Sequence, residues 1–145
     1  MSNIEDFLTK KEEEEIVEAI RIAENKTSGE IRVHIERTTD KDVYERTLDV
    51  FHLLKMDNTK ERNGVLIYVA VDDKAFVIFG DEGINNIVGS EFWNSTRDKI
   101  ASQFKLGKFK QGLVDGITEA GRVLSKHFPW LHNDTNELDN TISKG

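Results

Sequence analysis

Val65-Leu66-Ile67-Tyr68-Val69-Ala70-Val71, then Asp72-Asp73-Lys74, then Ala75-Phe76-Val77-Ile78-Phe79, is the stretch from which the fold can be read. The first run carries no charge and is rich in β-branched side chains. It reads as a strand covered on both faces and therefore central in its sheet. Asp72-Asp73-Lys74 supplies a tight turn, and the following run returns as an antiparallel partner. Upstream, Glu30 to Thr38 alternates, with Ile31, Val33 and Ile35 on one side and Arg32, His34 and Glu36 on the other. Period two predicts a half-buried strand with His34 exposed on its polar face. A helical segment separates the two strands, so a right-handed crossover makes them parallel.

The flanking segments are helical. Thr9 is the expected N-cap of the first, Glu12 to Glu15 place negative charge where the helix dipole favours it, and Ile16, Ala19, Ile20 and Ala23 form its buried stripe. The glutamate run reads as a solvated face. Asp40 or Asp42 caps the crossover helix, whose core contacts are Val43, Leu48, Phe51 and Leu54, with His52 on the surface. Beyond Gly80-Asp81-Glu82-Gly83, Phe92, Thr96, Ile100 and Phe104 recur at helical spacing, and Gly107 fits the C′ position. A last helix carries Leu113, Val114, Ile117, Ala120 and Leu124, and Pro129 marks its end. The expectation is an α/β domain over residues 1–131, a three-layer α/β/α sandwich around a mixed sheet of three to four strands. Residues 132–145 are polar and aperiodic and are expected to form a disordered tail.

Composition narrows the function. A chain of 145 residues fits one domain with its own core. The absence of cysteine excludes thiolate metal sites, disulfides and thiol catalysis. A formal net charge of -7 with no basic run argues against a nucleic-acid partner and favours cations or basic partners. The first residues lack the features of a secretory signal and no apolar stretch reaches bilayer length, so no membrane insertion and a cytoplasmic location are expected.

Four segments carry a family resemblance: Thr27-Ser28-Gly29-Glu30-Ile31-Arg32-Val33, Arg62-Asn63-Gly64-Val65-Leu66-Ile67-Tyr68-Val69-Ala70, Phe76-Val77-Ile78-Phe79-Gly80-Asp81-Glu82-Gly83-Ile84, and Phe104-Lys105-Leu106-Gly107 with Gly112-Leu113. In order and spacing they resemble the TPM domain over roughly Ile4 to Phe128. That family includes thylakoid-lumen proteins linked to photosystem II repair and a nematode acetylcholine-receptor modulator. The resemblance implies an α/β/α fold, binding of a divalent cation, calcium in particular, and an acid phosphatase activity proposed for plant members. Many members carry a signal peptide and an anchor or low-complexity tail, and neither is expected for this chain. Where the common loop is similar to Gly-aromatic-Gly, this chain has the more acidic Gly80-Asp81-Glu82-Gly83. It thus resembles a stand-alone bacterial-type member.

Topology indicates where chemistry can sit. If the two later strands form a hairpin and the first is parallel to the second, three loops converge at one rim: Thr27 to Glu30, Asp57 to Gly64 and Gly80 to Gly83. They bring Glu30, Asp57, Glu61, Asp81 and Glu82, with amide oxygens from Asn58 and Asn63. Hard cations such as Ca2+ or Mg2+ take oxygen ligands of this kind. Asp57, Thr59, Glu61 and Asn63 alternate like an EF-hand loop, but the required glycine and terminal glutamate are missing. The competing site is the opposite rim, with Thr38, Thr39, Asp40, Asp72 and Asp73, the usual ligand edge of open α/β sheets.

The primary expectation is a divalent-cation-binding domain with a regulatory or interaction role. The alternative is a metal-assisted acid phosphatase acting on phosphate monoesters, with the helix after Gly83 holding the anion. No P-loop, Gly-x-Ser-x-Gly or histidine cluster supports it, so no catalytic residue is assigned. A protein partner is the third reading. Phe92-Trp93 is expected in the core, and Trp130 is either a lid on the last helix or a contact.

Overall fold

The computed structural model describes residues 7–59, 61–89, 93–130 and 141–144. Helix α1, Lys10–Glu24, begins with a reciprocal cap. Thr9 Oγ1 accepts the Glu12 N–H at 3.1 Å and Glu12 Oε1 accepts that of Thr9 at 2.9 Å, satisfying two donors that the helix itself cannot. Strand β1, Glu30–Glu36, follows, then α2, Val43–Leu53, capped by the Asp42 carboxylate on the N–H groups of Tyr44 and Glu45. Strands β2, Gly64–Ala70, and β3, Ala75–Gly80, form the expected hairpin. Helices α3, Glu82–Val88, α4, Asn94–Lys105, and α5, Phe109–His127, precede a short strand β4, Ser143–Lys144.

The sheet order is β3-β2-β1-β4. β1 runs parallel to β2, with Glu30 opposite Gly64 and Glu36 opposite Ala70. β2 runs antiparallel to β3, with Val65 opposite Gly80. Val65, Ile67 and Val69 of β2 and Ile31, Val33 and Ile35 of β1 face the apolar stripes of α1 and α5, which supply Ile16, Ile20, Leu113, Ile117 and Leu124. Leu66, Tyr68 and Ala70 pack on the other face against Val50 and Phe51 of α2. Three layers result. Within the outer layer α4 lies close on α5 because residue 116 is glycine; a Cβ there would come within 2.6 Å of Ile100 Cδ1. Gly107 ends α4 at φ +75°, a left-handed conformation that glycine adopts without strain.

Three expectations need correction. β1 is buried on both faces rather than half-buried, and His34 is 5% exposed, not a surface histidine. The physical reason is the set of partners on that side of β1: Arg46 of α2 meets Glu36, and Ser143 of β4 and the stacked Tyr68 ring of β2 meet His34. The tail is not disordered where it is described, because Ser143 and Lys144 pair in parallel with His34 and Ile35. Residues 132–140, like Phe92, lie outside the described residues. Trp93 is buried as expected, whereas Trp130 is 41% exposed. Among the described residues no helix is long and apolar enough to cross a membrane.

Candidate functional site

The register puts Glu30, Gly64 and Gly80 at the same rim of the sheet. Backbone bonds tie the three loops there. Glu30 N–H donates to Asn63 O at 3.3 Å, Asp81 N–H to Gly64 O at 2.9 Å and Gly83 N–H to Arg62 O at 2.8 Å. Gly83 is required, because a Cβ would fall 2.2 Å from Glu61 O and 2.4 Å from Arg62 O. Arg62 itself takes a left-handed φ of 54°, uncommon for a residue with a side chain.

The five carboxylates expected here divide into two groups. Asp81, 4% exposed, caps α3 by accepting the Glu82 N–H at 2.8 Å and also accepts from Arg62 Nε at 3.2 Å. Glu82 lies 3.8 Å from Arg62 Nη2. Asp57 accepts from His52 Nδ1 at 2.7 Å, a bond that holds its carboxyl below the usual range, and Arg62 adds to that effect. Asp81, Glu82 and Asp57 together raise the Arg62 guanidinium above its ordinary value, the Asp81 hydrogen bond contributing most. One half-exposed arginine therefore stands among three of the expected ligands.

The second group lies beside the start of β1. Ser28 Oγ donates to Glu61 Oε2 at 3.3 Å, and Asn63 Nδ2 lies 3.3 Å from Ser28 Oγ and 3.5 Å from Glu61 Oε2. Glu30 is buried at the first position of β1. Asn63 Oδ1 and Thr59 Oγ1 are buried oxygens without a hydrogen-bond partner. Buried acceptors left in this state are costly unless something positive reaches them. These oxygens fit the donor chemistry of a hard cation. Among the described residues, no three His, Asp or Glu side chains already sit together in a metal-holding arrangement.

The opposite rim is closed by its own bonds. Arg37 Nε donates to Asp72 at 3.0 Å, and Asp73 accepts from Thr38 Oγ1 at 2.8 Å and from the Thr39 N–H at 3.1 Å. These bonds fasten the hairpin turn to the exit of β1.

Sequence reasoning did not single out a buried polar group on the α2 side of the sheet. Glu36 Oε2 accepts from Arg46 Nε at 2.9 Å and Glu36 Oε1 from Arg46 Nη2 at 3.0 Å. Tyr68 donates its phenolic proton to the same carboxylate, and His34 Nε2 lies 3.0 Å from Glu36 Oε1. Burial presses the Glu36 carboxyl upward, but the bonds from Arg46, Tyr68 and His34 outweigh it and hold its pKa at about 2. Burial pushes the Tyr68 phenol up and the His34 imidazole down. With Glu36 ionised, the proton of neutral His34 sits on Nε2, leaving Nδ1 to accept from Ser143 Oγ at 2.9 Å. A tyrosine inside an uncharged central strand, opposite a strand with His and Glu two apart, was the available signal.

A family model described as the TPM domain matches residues 2–123. The chain is 65% identical to the BA42 protein of the psychrophilic bacterium Bizionia argentinensis, whose NMR structure superposes with a TM-score of 0.93 and full coverage of both chains. It is also similar to the N-terminal domain of a P. gingivalis protein solved by NMR. That match has a TM-score of 0.71 and 20% identity, covers 88% of this chain and 83% of the other, and shows the fold alone. No curated protein matches the chain.

Proposed function

The chain belongs to the TPM-domain family, and from that premise we propose that it binds a divalent cation, Ca2+ or Mg2+, at the rim formed by Ser28–Glu30, Asp57–Gly64 and Gly80–Gly83. The role is regulatory or interactive rather than catalytic. The observation that carries the proposal is the gathering of carboxylates from separate loops around Arg62, next to buried oxygens that lack a donor.

Arg62 is the counter-ion of this rim without metal. Its side chain is 46% exposed and can swing away from Asp81. Glu61, Ser28 and Asn63 supply oxygens on one side, with the Asn63 amide turned to present Oδ1. Asp81 and Glu82 supply them on the other once Arg62 leaves. A divalent ion at this rim neutralises the carboxylates as the arginine does and also satisfies oxygens that the arginine does not reach. Release of Arg62 from the α3 cap turns ion binding into a change in the exposed loop, which suits regulation or partner docking.

Calcium titration into isotope-labelled protein tests the proposal. Saturable amide shifts confined to Ser28–Glu30, Asp57–Gly64 and Gly80–Gly83, with movement of the Asn63 side-chain amide signals, are expected. Glu61→Gln should weaken the response. A titration that leaves these signals in place, with calcium or magnesium, overturns the proposal. Metal-dependent hydrolysis of a phosphate monoester that disappears in Asp81→Ala would replace the regulatory role with an enzymatic one.

A further inference from the structure

We propose that the chain carries a second binding site, for a free fatty-acid-type amphiphile with an apolar body and one carboxylate. It lies between the turn end of the β2–β3 hairpin and the α4–α5 connection. A half-open cavity of about 710 Å3 occupies this position, within the usual size range for small-molecule sites. Its wall contains four phenylalanines, all only partly buried. Phe7 precedes α1, Phe76 lies in β3, Phe104 in α4 and Phe109 opens α5. Their rings touch in series: Phe7 to Phe109 with centroids 4.5 Å apart, and Phe104 5.3 Å from both Phe76 and Phe109. Ring faces and edges of this kind accept an alkyl chain or another ring without demanding a polar partner.

Charge selects the head group. Lys74, in the hairpin turn, and Lys105, in the last turn of α4, both line the cavity, and among the described residues no acidic one does. On a chain of net charge -7 that is a local reversal of sign. Some cations of this molecule are engaged; Lys41 meets Asp49, Lys99 meets Glu119 and Lys110 meets Glu15. Lys74 and Lys105 have no such carboxylate among the described residues. An apolar cavity with two uncommitted ammonium groups matches a single carboxylate on an apolar chain, with the tail against the phenylalanines and the head at the lysines. The site also lies beyond the carboxyl end of β2, where open α/β sheets place ligands. The cation rim is at the opposite end of the same strand, so either site can stand without the other.

The test uses the full chain and sodium decanoate, below its micelle-forming concentration, followed by amide shifts. Saturable shifts at Val71–Phe76 and Ala101–Phe109 are expected, with decanol and a decyl-trimethylammonium salt binding more weakly. The double variant Lys74→Gln/Lys105→Gln changes only exposed side chains. It should weaken decanoate on the order of tenfold, the combined worth of two exposed ion pairs, and leave decanol unaffected. Equal binding of decanoate and decanol, insensitivity to the double variant, or shifts that do not saturate would each overturn the proposal. Calcium shifts at the other rim report separately on the cation reading.

Discussion

Arg46 holds the buried Glu36 carboxylate through two parallel hydrogen bonds of 2.9 and 3.0 Å, tying α2 to the end of β1. Glu36 is 4% exposed, so removing its partner leaves a buried charge. Arg46→Ala is therefore expected to destabilise the domain by about 2–4 kcal/mol. Urea unfolding of the variant checks this, and a loss under about 1 kcal/mol would show that Tyr68 and His34 suffice.

The same group sets a pH dependence. The folded pKa of Glu36, about 2, lies below its ordinary 4.5. Its contribution is thus fully present above pH 4.5 and is lost as pH falls towards 2, and it amounts to on the order of 3 kcal/mol. His34 is also depressed, from 6.5, by burial. The unfolded chain then takes up that proton first, and stability begins to fall below about pH 6.5. Melting temperature measured from pH 7 to pH 3 should decline in both windows, and His34→Gln should remove the upper one.

β4 is short, but its Ser143 supplies the hydrogen bond to His34 Nδ1, and Lys144 Nζ lies 2.6 Å from Glu13 Oε1 of α1. Ser143→Ala leaves a buried ring nitrogen without its donor, at a cost of about 1–2 kcal/mol. Denaturant midpoints should show this loss. Lys144→Ala, which breaks a partly exposed pair, should cost about 1 kcal/mol at most.

Much of the fold was legible because its signals are local. The uncharged run Val65 to Val71 gave the central strand, alternation at Ile31, Val33 and Ile35 gave its parallel neighbour, and Thr9 with Glu12 gave a helix start. Convergence of Glu30, Gly64 and Gly80 at one rim followed from topology alone. What stayed hidden depends on distant partners. Period two marks His34 and Glu36 as polar, but their burial depends on partners distant in the chain, Arg46 over Glu36 and Ser143 and Tyr68 beside His34. Likewise Asp57, Asp81 and Glu82 read as acidic, while Arg62 had no sequence feature marking it as their common counter-ion.

Gly83 has no room for a side chain. The atoms a Cβ would meet, Glu61 O and Arg62 O, belong to the backbone and cannot rotate away. Gly83→Ala should cost about 1–3 kcal/mol and shift the amide signals of Glu61 to Gly64. At Gly29 a Cβ would meet the flexible end of Leu124 at 3.0 Å, so Gly29→Ala should be the milder change. Equal losses in the two variants would contradict this account of the rim.

If the rim binds a divalent cation as proposed, Arg62 is the group that the ion must displace. Without it, the nearly buried Asp81 keeps the Glu82 N–H but loses its positive neighbour. Arg62→Ala should therefore lower the melting temperature in chelator. Calcium should then bind more tightly than to the unaltered chain, by about threefold to tenfold, because a repelling charge has gone and no displacement is needed. Binding to the folded state alone stabilises it by mass action. Saturating calcium should thus raise the melting temperature of Arg62→Ala more than that of the parent, closing the gap between them. A variant destabilised equally with and without calcium would mean that Arg62 is only a structural partner of Asp81 and that no ion takes its place.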